Sequence, residues 1–223
     1  MRNQTDQITW RDGQVPVSSR FDDPFFSLEN GLAETRHVFL EGNGLPARLR
    51  PGFHIAELGF GTGLNLLATW QATVQAGQTE TISYTSFEAF PMARADMARA
   101  LEAFPALGSY RTALLEVWDP AGGTFRLGPL EVRVIIGDAR QTLPQWEGTA
   151  DAWFLDGFSP AKNPELWEPG LLKAVAAHTA PGGTCASYTA AGFVRRGLED
   201  AGFTVTRAPG YGRKRHMTRG LRA

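Results

Sequence analysis

HIAELGFGTGLNL, residues 54–66, carries the strongest structural signal in this 223-residue chain. Its first half is mostly apolar and, with the preceding Phe53, predicts a short strand, Phe53 to Leu58. Three glycines follow within five residues, and a run with helical spacing begins at Leu64. Glycine lets the backbone turn sharply and leaves room where a Cβ would stand. A strand, a glycine loop and a helix N-terminus predict a cradle for a nucleotide-like ligand.

The spacing of these glycines separates two kinds of nucleotide-binding loop. The dinucleotide fingerprint is G-x-G-x-x-G, whereas here the third glycine comes one residue earlier, and an acidic residue precedes the loop. The pattern Glu57-x-Gly59-x-Gly61-x-Gly63 resembles the first motif of class I S-adenosylmethionine (SAM) methyltransferases. A glycine-rich turn without a ligand is the alternative, because single motifs have a high false-positive rate.

Composition limits the class of protein. The chain is 43% hydrophobic and 20% charged, as in ordinary globular domains. It shows no apolar run of membrane-span length, and Met1 to Gln7 lack a signal-peptide core. The single cysteine, Cys185, excludes an intrachain disulfide, and the four histidines show no metal-ligand spacing. We expect a cytoplasmic protein with no metal and no membrane partner.

Positive charge is concentrated near the C-terminus. Residues 193–223 hold eight Arg and Lys against two acidic residues, whereas the rest of the chain holds 14 basic and 21 acidic residues. This asymmetry suggests a polyanion partner. A solvated polar end explains the charge equally well.

Residues 1–50 are predicted to form an extension that packs on a core domain of residues 51–223. The extension carries too many large apolar side chains for a disordered tail. ITWRDGQVPVS predicts a hairpin turning at Asp12-Gly13, and residues 30–40 have helical spacing. We expect this segment to pack over the mouth of the cradle, with plain core packing as the alternative.

Acidic residues stand at the ends of two further predicted strands. The strand from Thr81 ends at Glu88, about one βαβ unit after Glu57. A carboxylate there accepts from both hydroxyls of a ribose. The third strand ends at Gly137 and Asp138, where an acid would face the adenine end of a ligand that lies across the strand tips. The alternatives are a helix N-terminal acid at Glu88, with Pro91 marking the helix start, and an N-cap at Asp138.

The predicted fourth strand, Ala150 to Leu155, leads into the loop DGFSPAKNP, residues 156–164. In a doubly wound sheet this strand lies beside the first one, so its carboxyl end faces the ligand crevice. Asp156 and Phe158 provide a carboxylate and an aromatic wall for a flat substrate. The Asn-Pro that ends the loop predicts a helix N-cap and first helical residue.

Strands and helices alternate along the rest of the chain. The remaining predictions are helices at 91–104, 110–118, 166–178 and 190–201, a hairpin at 124–136, and strands at 184–189, 203–207 and 216–221. They indicate a three-layer α/β sandwich around a mostly parallel, seven-stranded sheet with an antiparallel last strand.

Longer segments match one enzyme family. They are FDDPFFSLENGLAETRHVFLEGN (21–43), ELGFGTGLN (57–65), Phe87-Glu88, GDA (137–139), DGFSPAKNPELW (156–167) and GYGRKRHM (210–217). With these segments the chain resembles the MnmD/MnmC family, whose methyltransferase domain completes 5-methylaminomethyl-2-thiouridine at the tRNA wobble position. DGFSPAKNP and GRKR are much more specific than the glycine loop. The resemblance implies the class I SAM-methyltransferase fold.

The resemblance also implies a reaction, in which SAM methylates the primary amine of 5-aminomethyluridine or its 2-thio form in tRNA. The residues expected to bind SAM are Glu57, Gly59, Gly61, Gly63, Asn65, Glu88, Ala89, Asp138, Ala139 and Asp156. Asp156 is expected to orient the amine first and to accept its proton second.

Five residues are expected to contact tRNA. Phe158 would stack on the uracil with Lys162 beside it, and Arg213, Lys214 and Arg215 would contact phosphates. The FAD-dependent oxidoreductase half of bifunctional members is missing from this sequence. The resemblance therefore implies that other enzymes make the precursor amine.

Three alternatives remain open from the sequence. A SAM-dependent methyltransferase acting on another RNA or on a small amine is one. An NAD(P)-binding oxidoreductase is disfavoured by the early third glycine and by the absence of a Tyr-x-x-x-Lys pair. A non-catalytic RNA- or SAM-binding module is disfavoured by the intact Asp156 loop.

Overall fold

The computed structural model describes residues 7–27 and 30–223, which form a three-stranded N-terminal sheet and an eight-stranded central sheet with flanking helices. The strands are β1 (Ile8–Arg11), β2 (Val15–Ser18), β3 (Asp23–Pro24), β4 (His54–Leu58), β5 (Ile82–Glu88), β6 (Gly123–Leu127), β7 (Leu130–Ile136), β8 (Ala150–Leu155), β9 (Thr179–Ser187), β10 (Phe203–Pro209) and β11 (His216–Arg222). The helices are α1 (Gly31–Thr35), α2 (Leu64–Gln75), α3 (Arg94–Leu101), α4 (Gly108–Val117), α5 (Ala139–Thr142), α6 (Pro169–Ala177) and α7 (Gly192–Asp200).

The central sheet has the strand order β10-β11-β9-β8-β4-β5-β7-β6. Its five middle strands are parallel, and β11 runs antiparallel to both of its neighbours, as predicted. All seven predicted strands are present. The eighth is β6, the first arm of the predicted hairpin, which pairs antiparallel with β7 and extends the sheet by one strand. The chain winds outward in both directions from β4, so a crevice opens at the carboxyl ends of β4 and β8.

Each face of the sheet buries its own core. On β8, Ala152 and Phe154 belong to the core that includes apolar residues of α2, α3 and α4. Trp153 and Leu155 alternate with them and join the core that includes residues of α6 and α7. Burial on both faces explains the near-continuous apolar sequence of these strands.

The N-terminal segment folds as the sequence predicts. β1 and β2 form an antiparallel hairpin, and Asp12 and Gly13 in its turn both have positive φ. Asn30 caps α1 by accepting a hydrogen bond from the Ala33 amide, and the helix continues as a wider π-helical turn, Arg36–Leu40. The separation of residues 1–50 from 51–223 stays a prediction.

Two helix starts differ from the predictions. α3 starts at Arg94, so Pro91 does not begin the helix as predicted. Met92 is buried and its carbonyl accepts a hydrogen bond from Trp118 Nε1 (2.9 Å), which holds the preceding residues outside the helix. The predicted helix at 166–178 is divided into a 3₁₀ turn, Pro164–Trp167, and α6, because Pro169 keeps the residue before it extended.

Two further details of the same region differ. Asn163 stands at the N-cap position of the 3₁₀ turn, but its side chain makes no capping hydrogen bond. β9 starts at Thr179, ahead of the predicted start at residue 184, and a shift in its register with β8 accommodates the Pro-Gly-Gly segment. In the described part of the chain, no helix is long and apolar enough to cross a membrane.

Candidate active site

A cavity of about 960 Å³ opens at the carboxyl ends of β4, β5 and β8, a volume suited to a ligand larger than a simple metabolite. Its walls come from the N-terminal segment, the glycine loop, the strand ends, the loop after β8, and the loop between β10 and β11 (residues 210–215, the basic loop). Phe21, Phe25 and Phe26 line it, so the N-terminal segment covers the crevice as predicted.

Two glycines of the loop after β4 have different roles. Gly59 has φ +88°, and a Cβ there would lie 2.5 Å from the carbonyl oxygen of Asp156. A glycine at this point therefore lets the loops after β4 and β8 meet. Gly61 has φ +53° and lines the cavity, where a Cβ would meet only Phe25, at 3.4 Å. Gly63 precedes α2 and does not line the cavity.

Glu88 ends β5 with a buried carboxylate on the cavity wall. Its two oxygens accept hydrogen bonds from the amides of Gly61 (2.9 Å) and Phe90 (2.7 Å). These bonds hold the carboxylate against the glycine loop, and Ala89 beside it also lines the cavity. The arrangement presents a fixed acidic acceptor next to the cradle. Its contact with a ribose stays a prediction.

Asp138 lines the cavity but already serves as a helix cap. Its carboxylate accepts from the Arg140 amide (2.9 Å) and pairs with the Arg140 guanidinium (2.6 Å) at the start of α5. The hydrogen bond from Arg140 is the largest cause that lowers the pKa of Asp138. The alternative role foreseen for Asp138 is thus present, and its contact with adenine, like that of Ala139, stays a prediction.

One amide joins two buried carboxyl groups at the centre of the site. Asn65 Nδ2 donates to Glu57 Oε1 (2.8 Å) and to Asp156 Oδ2 (2.7 Å). Glu57 Oε2 accepts from Ser86 Oγ (2.7 Å), and Asn65 Oδ1 accepts from Thr35 Oγ1 (3.0 Å). Glu57 is fully buried and does not line the cavity, contrary to its predicted contact with SAM. It acts on the cavity through Asn65, which does line it.

Both carboxyl groups titrate near neutral pH. Burial raises the pKa of Glu57 to about 8 and that of Asp156 to about 7, although the hydrogen bonds from Asn65 lower both values. Asp156 lines the cavity and is populated in both protonation states at pH 7. A carboxyl group of this kind accepts and releases protons at low cost.

The Phe158 side chain belongs to an aromatic cluster. Its ring stacks on Phe21 at 4.8 Å and meets Phe25 edge-on at 5.0 Å, and Phe21 in turn packs against Phe90. One face of Phe158 is therefore covered by the N-terminal segment. Stacking on a uracil stays a prediction and would use the remaining surface of the ring or displace Phe21.

Two polar contacts fasten the N-terminal segment to the loop after β8. The amide of Ser159 donates to Asp23 Oδ2 (2.7 Å), and Lys162 Nζ pairs with Asp22 Oδ2 (2.6 Å). Lys162 lies on the cavity wall as predicted for a substrate contact, but its ammonium is held by this ion pair.

The three cations of the basic loop do not act as one group. Arg213 and Lys214 line the cavity, and Arg215 is exposed outside it. Lys214 Nζ donates to Glu34 (2.7 Å) and lies 4.2 Å from the centre of the Tyr188 ring. The prediction that all three contact phosphates is therefore revised, because the Lys214 ammonium points into the cavity.

Several cavity residues were not predicted individually. Tyr188 directly follows β9 at the same edge of the sheet, and its position after a parallel strand is the signal that could have found it. Glu34 offers no local signal, because only the packing of α1 against α2 brings it to the cavity. Among the described residues, no group of His, Cys, Asp and Glu side chains is arranged to hold a metal ion.

Comparison with known proteins shows which family the chain is similar to. Residues 106–223 match the model of a family described as S-adenosyl-L-methionine-dependent methyltransferase. The chain is 44% identical to proteins from Aeromonas hydrophila and Chromohalobacter salexigens, both named tRNA 5-methylaminomethyl-2-thiouridine biosynthesis bifunctional protein MnmC. These alignments cover 97% and 95% of this chain but 35% and 32% of the relatives, so the chain spans about a third of their length. The crystal structure of MnmC2 from Aquifex aeolicus superposes with a TM-score of 0.78 and 26% identity, over 98% of this chain and 71% of that one.

The residues around the cradle fit the cofactor of this family. Gly61 leaves the loop surface open to a ligand, and Glu88 sets an acidic hydrogen-bond acceptor beside it, as the predicted contact with a nucleoside requires. SAM supplies an electrophilic methyl group on a sulfonium. Its leaving group needs little acid catalysis, so the main task of the protein is to position the nucleophile against the methyl carbon. By its fold, its cradle and its match to the family model, the chain belongs to the S-adenosylmethionine-dependent methyltransferases.

Proposed function

We propose that this enzyme methylates the primary amine of 5-aminomethyluridine, or of its 2-thio form, at the wobble position of tRNA. The observation that carries the proposal is Asp156, a cavity carboxyl with a pKa of about 7 at the edge of the SAM cradle. An alkylamine substrate needs such a group, because it is mostly protonated at neutral pH and its lone pair becomes reactive only when a proton is removed.

The choice of amine is supported by the relatives. Proteins 44% identical over nearly all of this chain are named for the biosynthesis of 5-methylaminomethyl-2-thiouridine in tRNA. The segments 21–43 and 156–167, which carried the family resemblance, supply much of the cavity wall. The proposal implies that the enzyme works in the cytoplasm, where tRNA is found.

The residues of the chain suggest how the amine is prepared. Asn65 holds Asp156 Oδ2, and we expect the same carboxylate to accept a hydrogen bond from the substrate nitrogen on its cavity side. The ionised carboxylate takes a proton from the alkylammonium, and the neutral amine keeps its lone pair directed at the methyl carbon. Because Asp156 has a pKa of about 7, it releases the proton again at neutral pH. The Phe21–Phe25–Phe158 cluster gives the cavity an apolar wall.

Mass spectrometry of wobble nucleosides tests the proposal. Hypomodified tRNA that carries 5-aminomethyl-2-thiouridine is incubated with the protein and SAM, and 5-methylaminomethyl-2-thiouridine is the expected product. The Asp156→Asn variant serves as the control for enzyme-dependent methylation. If active protein leaves this nucleoside unchanged while methylating another RNA or a small amine, the proposed substrate is wrong.

A further inference from the structure

Lys214 holds an ammonium group in a built environment inside the cavity. Its Nζ donates to Glu34 Oε1 at 2.7 Å, and it lies over the Tyr188 ring at 4.2 Å, within the range of a cation–π contact. Only 11% of the Glu34 side chain is exposed, so this carboxylate meets its cation away from bulk water. Burial is the main cause of the raised pKa of Asp156, which the Lys214 charge lowers and the Glu34 charge raises. Lys214, Glu34, Tyr188 and Asp156 line the same cavity.

The three groups around this ammonium are held by other parts of the fold. The Tyr188 hydroxyl donates to the Gly157 carbonyl (2.7 Å), which fixes the ring. Asn65 fixes Asp156, and it accepts a hydrogen bond from Thr35, the neighbour of Glu34 on α1. We call Glu34, Asp156 and the face of Tyr188 the ammonium cage. Its acceptors and its aromatic face come from α1 and from the residues that follow β8 and β9, and not from the basic loop that carries Lys214.

The cation in the cage can move out into solvent, whereas its partners are held in place. The Lys214 side chain is 46% exposed and comes from the basic loop, whereas Glu34 is nearly buried. A long unbranched side chain of this kind can leave without disturbing the core. Its chemistry, a primary alkylammonium, is that of an aminomethyl group before it loses its proton.

We propose that the ammonium cage is the binding site for the primary ammonium of the substrate, and that Lys214 fills the cage until the substrate displaces it. The identity of that substrate rests on the proposed function, but the cage requires only a primary amine. The displaced lysine emerges beside Arg213 and Arg215, where RNA phosphates are expected to dock. Docking of RNA and opening of the amine site would then favour each other.

A pair of small ligands tests the cage without RNA. Benzylamine carries an aminomethyl group on a planar ring and is protonated at pH 7, and benzyl alcohol is its neutral counterpart. Their dissociation constants are measured by calorimetry with S-adenosylhomocysteine present, for the wild type, Lys214→Met, Lys214→Met/Glu34→Gln and Lys173→Met. Lys173→Met is the matched control, because it removes an exposed lysine of α6 that does not line the cavity.

Lys214→Met is expected to bind benzylamine at least about tenfold more tightly than the wild type, because no internal cation competes for the cage. Benzyl alcohol should bind with unchanged affinity, and Lys173→Met should leave both ligands unaffected. The Glu34→Gln change should abolish the gain. Unchanged S-adenosylhomocysteine affinity verifies that each variant is folded.

An unchanged ratio of benzylamine to benzyl alcohol affinity in Lys214→Met would overturn the proposal. An equal gain in Lys173→Met would also overturn it, because the effect would then be a general loss of positive charge. The test is independent of the tRNA experiment. Selective benzylamine binding without tRNA methylation supports the cage and rejects the tRNA substrate, and tRNA methylation without any effect of Lys214→Met rejects only the cage.

Discussion

Asp156 is the residue in which burial, hydrogen bonding and position combine to give a cavity carboxyl group with a raised pKa. Burial raises its pKa to about 7, and one oxygen is held by Asn65. Its loop meets the glycine loop closely because Gly59 has no side chain. A carboxylate on an open loop would have an ordinary pKa and would hold an ammonium without accepting its proton.

Asp156→Asn should retain the fold and most SAM affinity but lose turnover by roughly 100-fold or more, in the range of general-base contributions. In the wild type the single-turnover rate should rise with pH through about 7, because the carboxylate forms as Asp156 loses its proton. The variant should lack this rise. Rates within a few-fold of the wild type from pH 6 to 9 would make Asp156 a structural residue.

Glu88→Ala should weaken SAM binding by about 1.5–3 kcal/mol, because a charged acceptor is lost. The glycine loop also loses the partner of the Gly61 amide. Calorimetry measures the effect, and circular dichroism checks the fold. Glu199→Ala, an exposed acid on α7, is the matched control. Unchanged affinity in folded Glu88→Ala would reject the ribose contact.

At the scale of elements, the Asn65 side chain joins three parts of the fold. It extends from α2 to Glu57 on β4, to Asp156 after β8 and to Thr35 on α1. The Asp156 carboxyl is thus positioned by the packing of α2 against the sheet. The fold also buries Glu57 and raises its pKa, so the protonation of Glu57 is linked to folding.

Glu57→Gln tests this linkage. The pKa of Glu57 is about 8 in the folded protein against an ordinary value of 4.5, so the folded state binds the proton more tightly than the unfolded state. Stability from this group is present at low pH and declines as the pH rises towards 8. The variant does not titrate there, so between pH 6 and 9 it should lose on the order of 2 kcal/mol less stability than the wild type.

Urea unfolding at the two pH values measures this difference. Asp156 titrates in both proteins, and its charge is one of the causes that raise the pKa of Glu57, so the same comparison is made in the Asp156→Asn background. Equal losses of stability in both proteins would show that Glu57 does not change its protonation on folding.

At the scale of the whole molecule, the charge is divided between a basic C-terminal end and a mildly acidic remainder. The fold places the basic loop on the rim of the cavity that contains Asp156. We therefore expect a nucleic acid that docks on this loop to bring one of its bases to Asp156. Lys214 is set apart from this role by its contact with Glu34.

Replacing Arg213 and Arg215 by Ala should spare SAM binding and weaken tRNA binding. Two lost phosphate contacts should lower the log–log salt slope by about 1.4 to 1.8 units. Filter binding from about 50 to 300 mM salt gives the slope for both proteins. An unaltered slope would mean that the two arginines interact with the protein and not with RNA.

Some features follow from local sequence because their physical causes are local. The period of apolar residues and the glycine loop predict β4, α2 and the crevice, and the Asp12-Gly13 turn predicts the N-terminal hairpin. Asp156 and Glu88 are recognisable because parallel strands end at one edge of the sheet. These inferences need only the backbone preferences of short segments and the topology of a doubly wound sheet.

Other features depend on contacts between residues far apart in the chain. Nothing near Glu57 indicates that its carboxyl is buried behind Asn65 rather than facing a ligand, because that depends on how α2 packs on β4. Pro91 has the local marks of a helix start, yet the hydrogen bond from Trp118 to the Met92 carbonyl keeps it outside α3.

The basic loop shows the same division. Sequence alone determined that three cations stand together near the C-terminus. Only the tertiary structure decided that Lys214 turns inward to Glu34, 180 residues away, while Arg215 stays exposed. Local sequence sets backbone conformation and charge, whereas the partner of a long charged side chain is set by the surfaces that folding brings within its reach.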